Sequence, residues 1–281
     1  MTQRIFDPHV HFFAYAHGDY HWLKREGAPF WPQKKRIQRD FSVADLQLGA
    51  DFTLLGVTHV EAGFDNLHPI QELHWLQSQH FSGSAISFAQ LDLPSEEFAA
   101  ALTELTHPLL RGIRDITEGA DGKRLLAASV RDNLALLQRH GLLWEAQFDV
   151  SDTRLTQALV EYAQNFSELS IVINHAGLVT RDNFAQWQNN LLLLAPYPNV
   201  HLKCSGWEII QPDFDIAWQK QVIESAITSF SSARVMLASN FPLCLFACSY
   251  EEVWQGYTQL QLPDFDALVF ANAQRLYKLT S

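Results

Sequence analysis

Asp7-Pro8-His9-Val10-His11 closes a short apolar run, Arg4-Ile5-Phe6, near the start of the chain. In an extended strand alternate side chains share a face, so Asp7, His9 and His11 point one way and bring two imidazoles to one spot. That geometry suits a metal site or paired acid/base groups, and it equally suits hydrogen-bonded histidines at a strand end. What the rest of the chain brings to the same place decides between these readings.

Working outward, short β-branched and apolar runs recur with amphipathic helical segments between them, the signature of β-α units and a parallel sheet. The runs are Ile5 to His11, Thr53 to Glu61, Ser84 to Leu91, Leu110 to Ile116, Leu142 to Phe148, Ser170 to His175, Val200 to Ser205 and Arg234 to Ser239. Eight such runs match a (β/α)8 TIM barrel. Ser42, Ser95, Ser151 and Ser249 each precede acidic residues and read as helix caps. Leu155 to Phe166 and Leu268 to Leu279 carry the 3.6-residue apolar period. No linker or repeat interrupts the series, so one domain over residues 1–281 is expected.

The connection from Phe12 to Asp40 is long, aromatic and broken by Gly18, Gly27, Pro29 and Pro32. Leaving the C-terminal end of the first strand, it is placed to lie over a barrel mouth and bring Trp22 to a substrate, or to pack as an excursion over helices.

At the C-terminal ends of barrel strands, inward-facing residues form the pocket. On this parity the pocket receives His9 and His11, His59 and Glu61, Arg114, Glu145 and Gln147, His175, and His201 and Lys203, with Asn240 after the last strand. Each has an ordinary alternative. Arg114 can pair with Asp115 or Glu145, His175 can be a hydrogen-bonded core histidine, and Lys203 points either into a polar pocket or out to water.

Composition narrows the partners. Of 281 residues 47% are hydrophobic, and 31 acidic against 20 basic residues give a net charge of -11, which disfavours nucleic acid and anionic membrane. The first residues lack an apolar signal core and no stretch is long enough to span a bilayer, so a cytoplasmic protein, monomeric or homo-oligomeric, is expected. Cys204, Cys244 and Cys248 form no Cys-x-x-Cys pair and read as reduced apolar residues.

Asp7-Pro8-His9-Val10-His11, Gly112-Ile113-Arg114, Asn174-His175-Ala176-Gly177, Leu202-Lys203-Cys204-Ser205-Gly206, Ser239-Asn240-Phe241-Pro242 and Asn272-Ala273-Gln274-Arg275-Leu276-Tyr277 are met in that order. This series resembles the amidohydrolase-related family of hydrolase barrels, in the branch of sugar-acid and pyrone dicarboxylate lactonases, and it spans nearly the whole chain. The resemblance implies a distorted (β/α)8 barrel in which His9, His11 and His175 surround a carbonyl attacked by water. It also implies either no cofactor or a single divalent metal such as Zn2+ on His9, His11 and Glu61 or His175. The family usually has Ser-Asp-Trp-Pro where this chain has Ser239-Asn240-Phe241-Pro242. An amide orients water but does not deprotonate it, so Glu61, Glu145 or a free imidazole is left as the base, and Asn240→Asp is expected to raise the rate.

These observations lead to a hydrolase that opens a small acidic lactone or a related ester or amide. His9, His11, His175, Lys203, Asn240 and Glu61 are assigned to catalysis, with His175 and Lys203 polarising the carbonyl. Arg114, Gln147, Glu145 and Trp22 are assigned to substrate, with Arg114 gripping its carboxylate. A metal-dependent decarboxylase and a non-catalytic carboxylate binder are the alternatives.

Overall fold

A computed structural model describes residues 2–25 and 29–278. Eight strands, β1 (Gln3–Val10), β2 (Phe52–Val60), β3 (Ser84–Phe88), β4 (Leu110–Ile116), β5 (Leu143–Gln147), β6 (Ile171–Ile173), β7 (Val200–Cys204) and β8 (Val235–Leu237), pair in chain order. Every pairing is parallel, and helical segments return the chain between strands. The architecture is a (β/α)8 barrel. Strands buried on both faces need apolar residues throughout, and Ile171-Val172-Ile173 and Val235-Met236-Leu237 supply them with every side chain buried.

The seam between the last and first strands is closed by few bonds. Val10 bridges Phe241 in parallel fashion, and the His11 N–H donates to the Phe241 carbonyl at 2.6 Å. Asp7 completes the seam: its carboxylate accepts from the Ser239 hydroxyl and, at 3.2 Å, from the Ser239 N–H. Burial pushes this carboxyl up to about 6 against the hydrogen bonds that favour its ionised form.

Strand positions agree with the sequence reading, and most differences lie at the ends. The sixth strand stops at Ile173 because His175, Ala176, Gly177 and Leu178 all take φ between 51° and 70°. A left-handed turn of four residues, three of them not glycine, is disfavoured by about 1–3 kcal/mol at each such residue. It turns the chain sharply at the strand end, where His175 sits.

Two of the four serine caps act as expected. Ser249 caps helix Tyr250–Gln259 in a capping box with Glu252, whereas the box of Ser42 with Asp45 starts only a single 3-10 turn. Asp152, not Ser151, caps helix Thr153–Asn165, because the Ser151 hydroxyl is spent on Asp149. Ser95 lies inside its helix, behind Pro94. The closing segment is a π-helical turn, Ala267–Ala271, followed by helix Asn272–Tyr277; Leu279 lies outside the described residues.

The long connection after β1 is held at its base by the Phe13–Phe41 bridge. It folds on its own aromatics, with Trp22 and Trp31 ring centroids 5.9 Å apart and Trp31 5.6 Å from Phe246. It therefore both packs and reaches the mouth, the two behaviours that its sequence left open. Gly27 lies outside the described residues.

Candidate active site

A cavity of about 770 Å³ opens at the C-terminal end of the barrel. Among the predicted residues His11, Glu61, Arg114, Gln147, His175, Asn240 and Trp22 line it. His9 sits just below, its ring centroid 4.9 Å from that of His11 and 4.6 Å from that of His175. The three imidazoles, far apart in sequence, meet at one point.

Each ring is anchored through Nδ1. His11 Nδ1 lies 2.7 Å from the Val60 carbonyl; a carbonyl only accepts, so Nδ1 carries the proton and Nε2 keeps its lone pair. His9 Nδ1 faces Lys203 Nζ at 3.4 Å; an ammonium only donates, so the His9 proton is on Nε2, a buried atom with no partner. His175 Nδ1 lies 3.0 Å from the Ser205 hydroxyl. Burial holds all three well below the ordinary histidine value. After burial, Lys203 acts most strongly on His9, and Arg114 on His11 and His175. The cluster is neutral: His9 offers an N–H through Nε2, His11 offers a lone pair, and the hydroxyl beside His175 Nδ1 serves either tautomer of that ring.

Lys203 and Glu145 do not line the cavity. They form an ion pair, both side chains 0% exposed, in which Lys203 Nζ donates to Glu145 Oε2 at 2.8 Å and Oε1 at 2.9 Å and to the Pro8 carbonyl at 2.9 Å. The Tyr277 hydroxyl donates to the same carboxylate. With these partners Lys203 faces His9 from beneath, and Glu145 lies with it below the cavity. Both therefore lie below the expected position at the mouth, and the physical reason is mutual: each charge compensates the other in the interior.

Arg114 is engaged as well. It donates from Nε to Glu61 Oε1 at 2.8 Å, from one terminal nitrogen to Gln147 Oε1 at 3.0 Å, and from the other to the Glu61 carbonyl at 2.8 Å. Its ion-pair partner is thus Glu61, neither Asp115 nor Glu145, and each of its three nitrogens is bonded within the protein. Asp115 pairs instead with Arg124 at 2.7 Å. Glu61 has no hydrogen bond to Oε2 among the described residues, and burial raises its carboxyl, Arg114 opposing only in part.

Two histidines assigned to the mouth are elsewhere. His59 pairs with Glu72 of helix Ile70–Ser78 at 3.1 Å and stacks on Phe12. His201 lies two residues before Lys203 on β7, its nearest charges Arg275 and Arg234. Parity places a residue inside a strand but not at its mouth, which is why both were assigned there.

The sequence reading missed Glu208, whose Oε1 accepts from Asn240 Nδ2 at 2.6 Å. It also missed Gln90 and Glu118, which line the cavity together with Trp31 of the long connection. Glu208 stands in the short helix Trp207–Ile210, Trp31 and Glu118 in loops, and Gln90 past the point where the third strand stops at Phe88, so strand alternation does not place them.

The donor set does not by itself make a metal centre. Among the described residues no group of three or more His, Cys, Asp or Glu side chains is arranged to hold an ion. Cationic Arg114 and Lys203 flank the imidazoles, and Asn240 offers an amide where a carboxylate would bind more strongly. Among the same residues no helix is long and apolar enough to cross a membrane.

The family profile described as Amidohydrolase matches residues 6–279. An L-fucono-1,5-lactonase of Burkholderia ambifaria is 26% identical over 99% of this chain and 97% of its own length. An amidohydrolase of Burkholderia multivorans, crystallised with bound zinc, is 23% identical and superposes with a TM-score of 0.80 over 100% of both chains. A candidate 2-pyrone-4,6-dicarboxylic acid hydrolase of Pseudomonas putida is 22% identical, with a TM-score of 0.70 over 98% of both chains. The profile runs from β1, which carries the histidine pair, to the end of the closing helix, and the chain belongs to the amidohydrolase family of barrel enzymes.

Proposed function

We propose that this enzyme hydrolyses the ring ester of a small, uncharged, polyhydroxylated lactone of the sugar-acid type. The observation that carries the choice is the closed fork of Arg114. Among the described lining residues the cations are Arg114, paired with Glu61, and Arg124, paired with Asp115 and Asp92. The lining carboxylates are Glu61, Asp115 and Glu118. A carboxylate-bearing guest would meet no unpaired cation and one uncompensated anion. A hydroxylated ring instead meets Asn66, Gln90, Gln147 and Glu118 as hydrogen-bonding partners and Trp22 and Trp31 as apolar faces. The lactonase name of the relatives supports the same substrate class.

Water attacks the lactone carbonyl, the ring C–O bond breaks, and the product is a hydroxy acid that releases one proton at neutral pH. In this reading the unpartnered His9 N–H stabilises charge developing on the carbonyl oxygen. The lone pair of His11 orients the water, and Glu61, through Oε2, takes its proton. Lys203 holds the His9 tautomer that makes this division of labour work.

A pH-stat assay with a panel of aldonolactones tests the reading, before and after dialysis against a chelator. Proton release catalysed by the protein and retained after dialysis is expected. No release from any aldonolactone overturns the reading, and proton uptake from a carboxylic acid substrate points to decarboxylation instead.

A further inference from the structure

Asn240 follows β8 with a left-handed φ of 57° and lines the cavity. Its Nδ2 donates to Glu208 Oε1 at 2.6 Å, while its Oδ1 is buried with no partner. Glu208 belongs to the short helix Trp207–Ile210 after β7, is itself buried, and is absent from the cavity lining. An ionised carboxylate accepts and does not donate, so the contact leaves the amide one orientation: nitrogen toward Glu208, oxygen away from it.

We propose that Glu208 is a positioning residue that locks the Asn240 amide so that Oδ1 accepts a hydrogen bond from the attacking water. The carboxylate missing at strand eight then acts from one side chain behind, through orientation rather than proton transfer. This rests on the hydrolytic reading above. It also reverses the expectation for Asn240→Asp. That substitution sets two buried carboxylates in contact, where they must share a proton.

The groups around Glu208 sharpen the prediction. Asn240 faces it from the end of β8, Cys244 and Cys248 from the segment that follows, and Tyr257 from helix Tyr250–Gln259. None of these is a cation, and burial pushes the Glu208 carboxyl up to about 7, its hydrogen bonds opposing. Once protonated, Glu208 becomes a donor and favours the opposite amide orientation, so activity has an acidic limb near neutrality.

The test measures kcat, KM and pH dependence on a neutral aldonolactone for Glu208→Ala, Glu208→Gln, Asn240→Asp and the double exchange Asn240→Asp/Glu208→Gln. Glu208→Ala is expected to lower kcat roughly 10- to 100-fold with KM within about threefold. Glu208→Gln, whose Oε1 still accepts from Asn240, recovers kcat to within about threefold of the natural protein and loses the limb near pH 7. The double exchange outperforms Asn240→Asp by at least about tenfold. A Glu208→Ala protein that loses affinity with kcat intact, or a double exchange no better than Asn240→Asp, overturns the proposal. A second measurement needs no turnover: the Asn240 side-chain 15N amide resonance, identified by its loss in Asn240→Asp, shifts near pH 7 in the natural protein and not in Glu208→Gln. Absence of lactone turnover overturns the hydrolytic reading; an Asn240 amide that ignores pH, or that behaves alike in both proteins, overturns this one.

Discussion

Lys203 was legible as a residue out of place in an apolar strand, but its role was not, because partners from distant parts of the chain decide it. Glu145, Pro8 and Tyr277 each claim part of it. Replacing it with alanine leaves the Glu145 charge buried and unpaired, and a loss of about 3–5 kcal/mol in unfolding free energy is expected. Lys203→Met combined with Glu145→Gln removes both charges and recovers most of that loss; denaturant melts of the two variants give the comparison. Glu61 was legible as a carboxylate at a strand end, and its pairing with Arg114 was not. Glu61→Gln is expected to lower kcat about 100-fold or more. Normal kcat in that variant would move the base elsewhere.

At the scale of elements, strand number and order followed from apolar runs alone, since a doubly covered parallel sheet leaves little choice of residue. Helix starts were less legible, because neighbouring side chains compete for the same N–H groups, as Ser151 and Asp152 show. The turn that carries His175 was invisible for a different reason: its left-handed residues include Ala176 and Leu178, which give no local signal for positive φ. The same region depends on Gly206, at φ 72°, where an added Cβ would stand 2.6 Å from His175 Nδ1. Gly206→Ala therefore pushes the His175 ring from its place. Turnover is expected to fall at least about tenfold with far-ultraviolet circular dichroism unchanged, since the His175 ring packs 4.6 Å from that of His9 and a misplacement of about 1 Å at a reacting group is costly. Unaltered turnover would show that the position of His175 is not critical.

Across the whole molecule, buried titratable groups set the response to pH. His9, His11 and His175 are held well below 6.5, and His201 at about 4, so below pH 6.5 the unfolded chain takes up protons that the folded one refuses. Their contribution is complete above that value and lost as pH falls. Asp7, raised to about 6, and Glu208, raised to about 7, act oppositely, their contribution being lost as pH rises, and Glu61 and Asp115 share that direction. Four imidazoles lose their contribution over that interval, against the carboxyls that gain it, so the melting temperature should fall by about 5 °C or more between pH 7 and pH 5. A rise over that interval would show that the carboxylates dominate.

The barrel and the convergence of three histidines were readable from motif order, whereas the charge of the substrate was not. Arg114 by itself suggests a carboxylate, and its bonds to Glu61 and Gln147 are what favour the neutral ring proposed above. The ratio of kcat/KM for a neutral aldonolactone to that for the same ring carrying a free carboxylate tests this point most directly. The closed guanidinium fork predicts a preference of about 100-fold or more for the neutral ring, the scale of a buried charge left without a partner. Equal turnover, or preference for the acid, would contradict it.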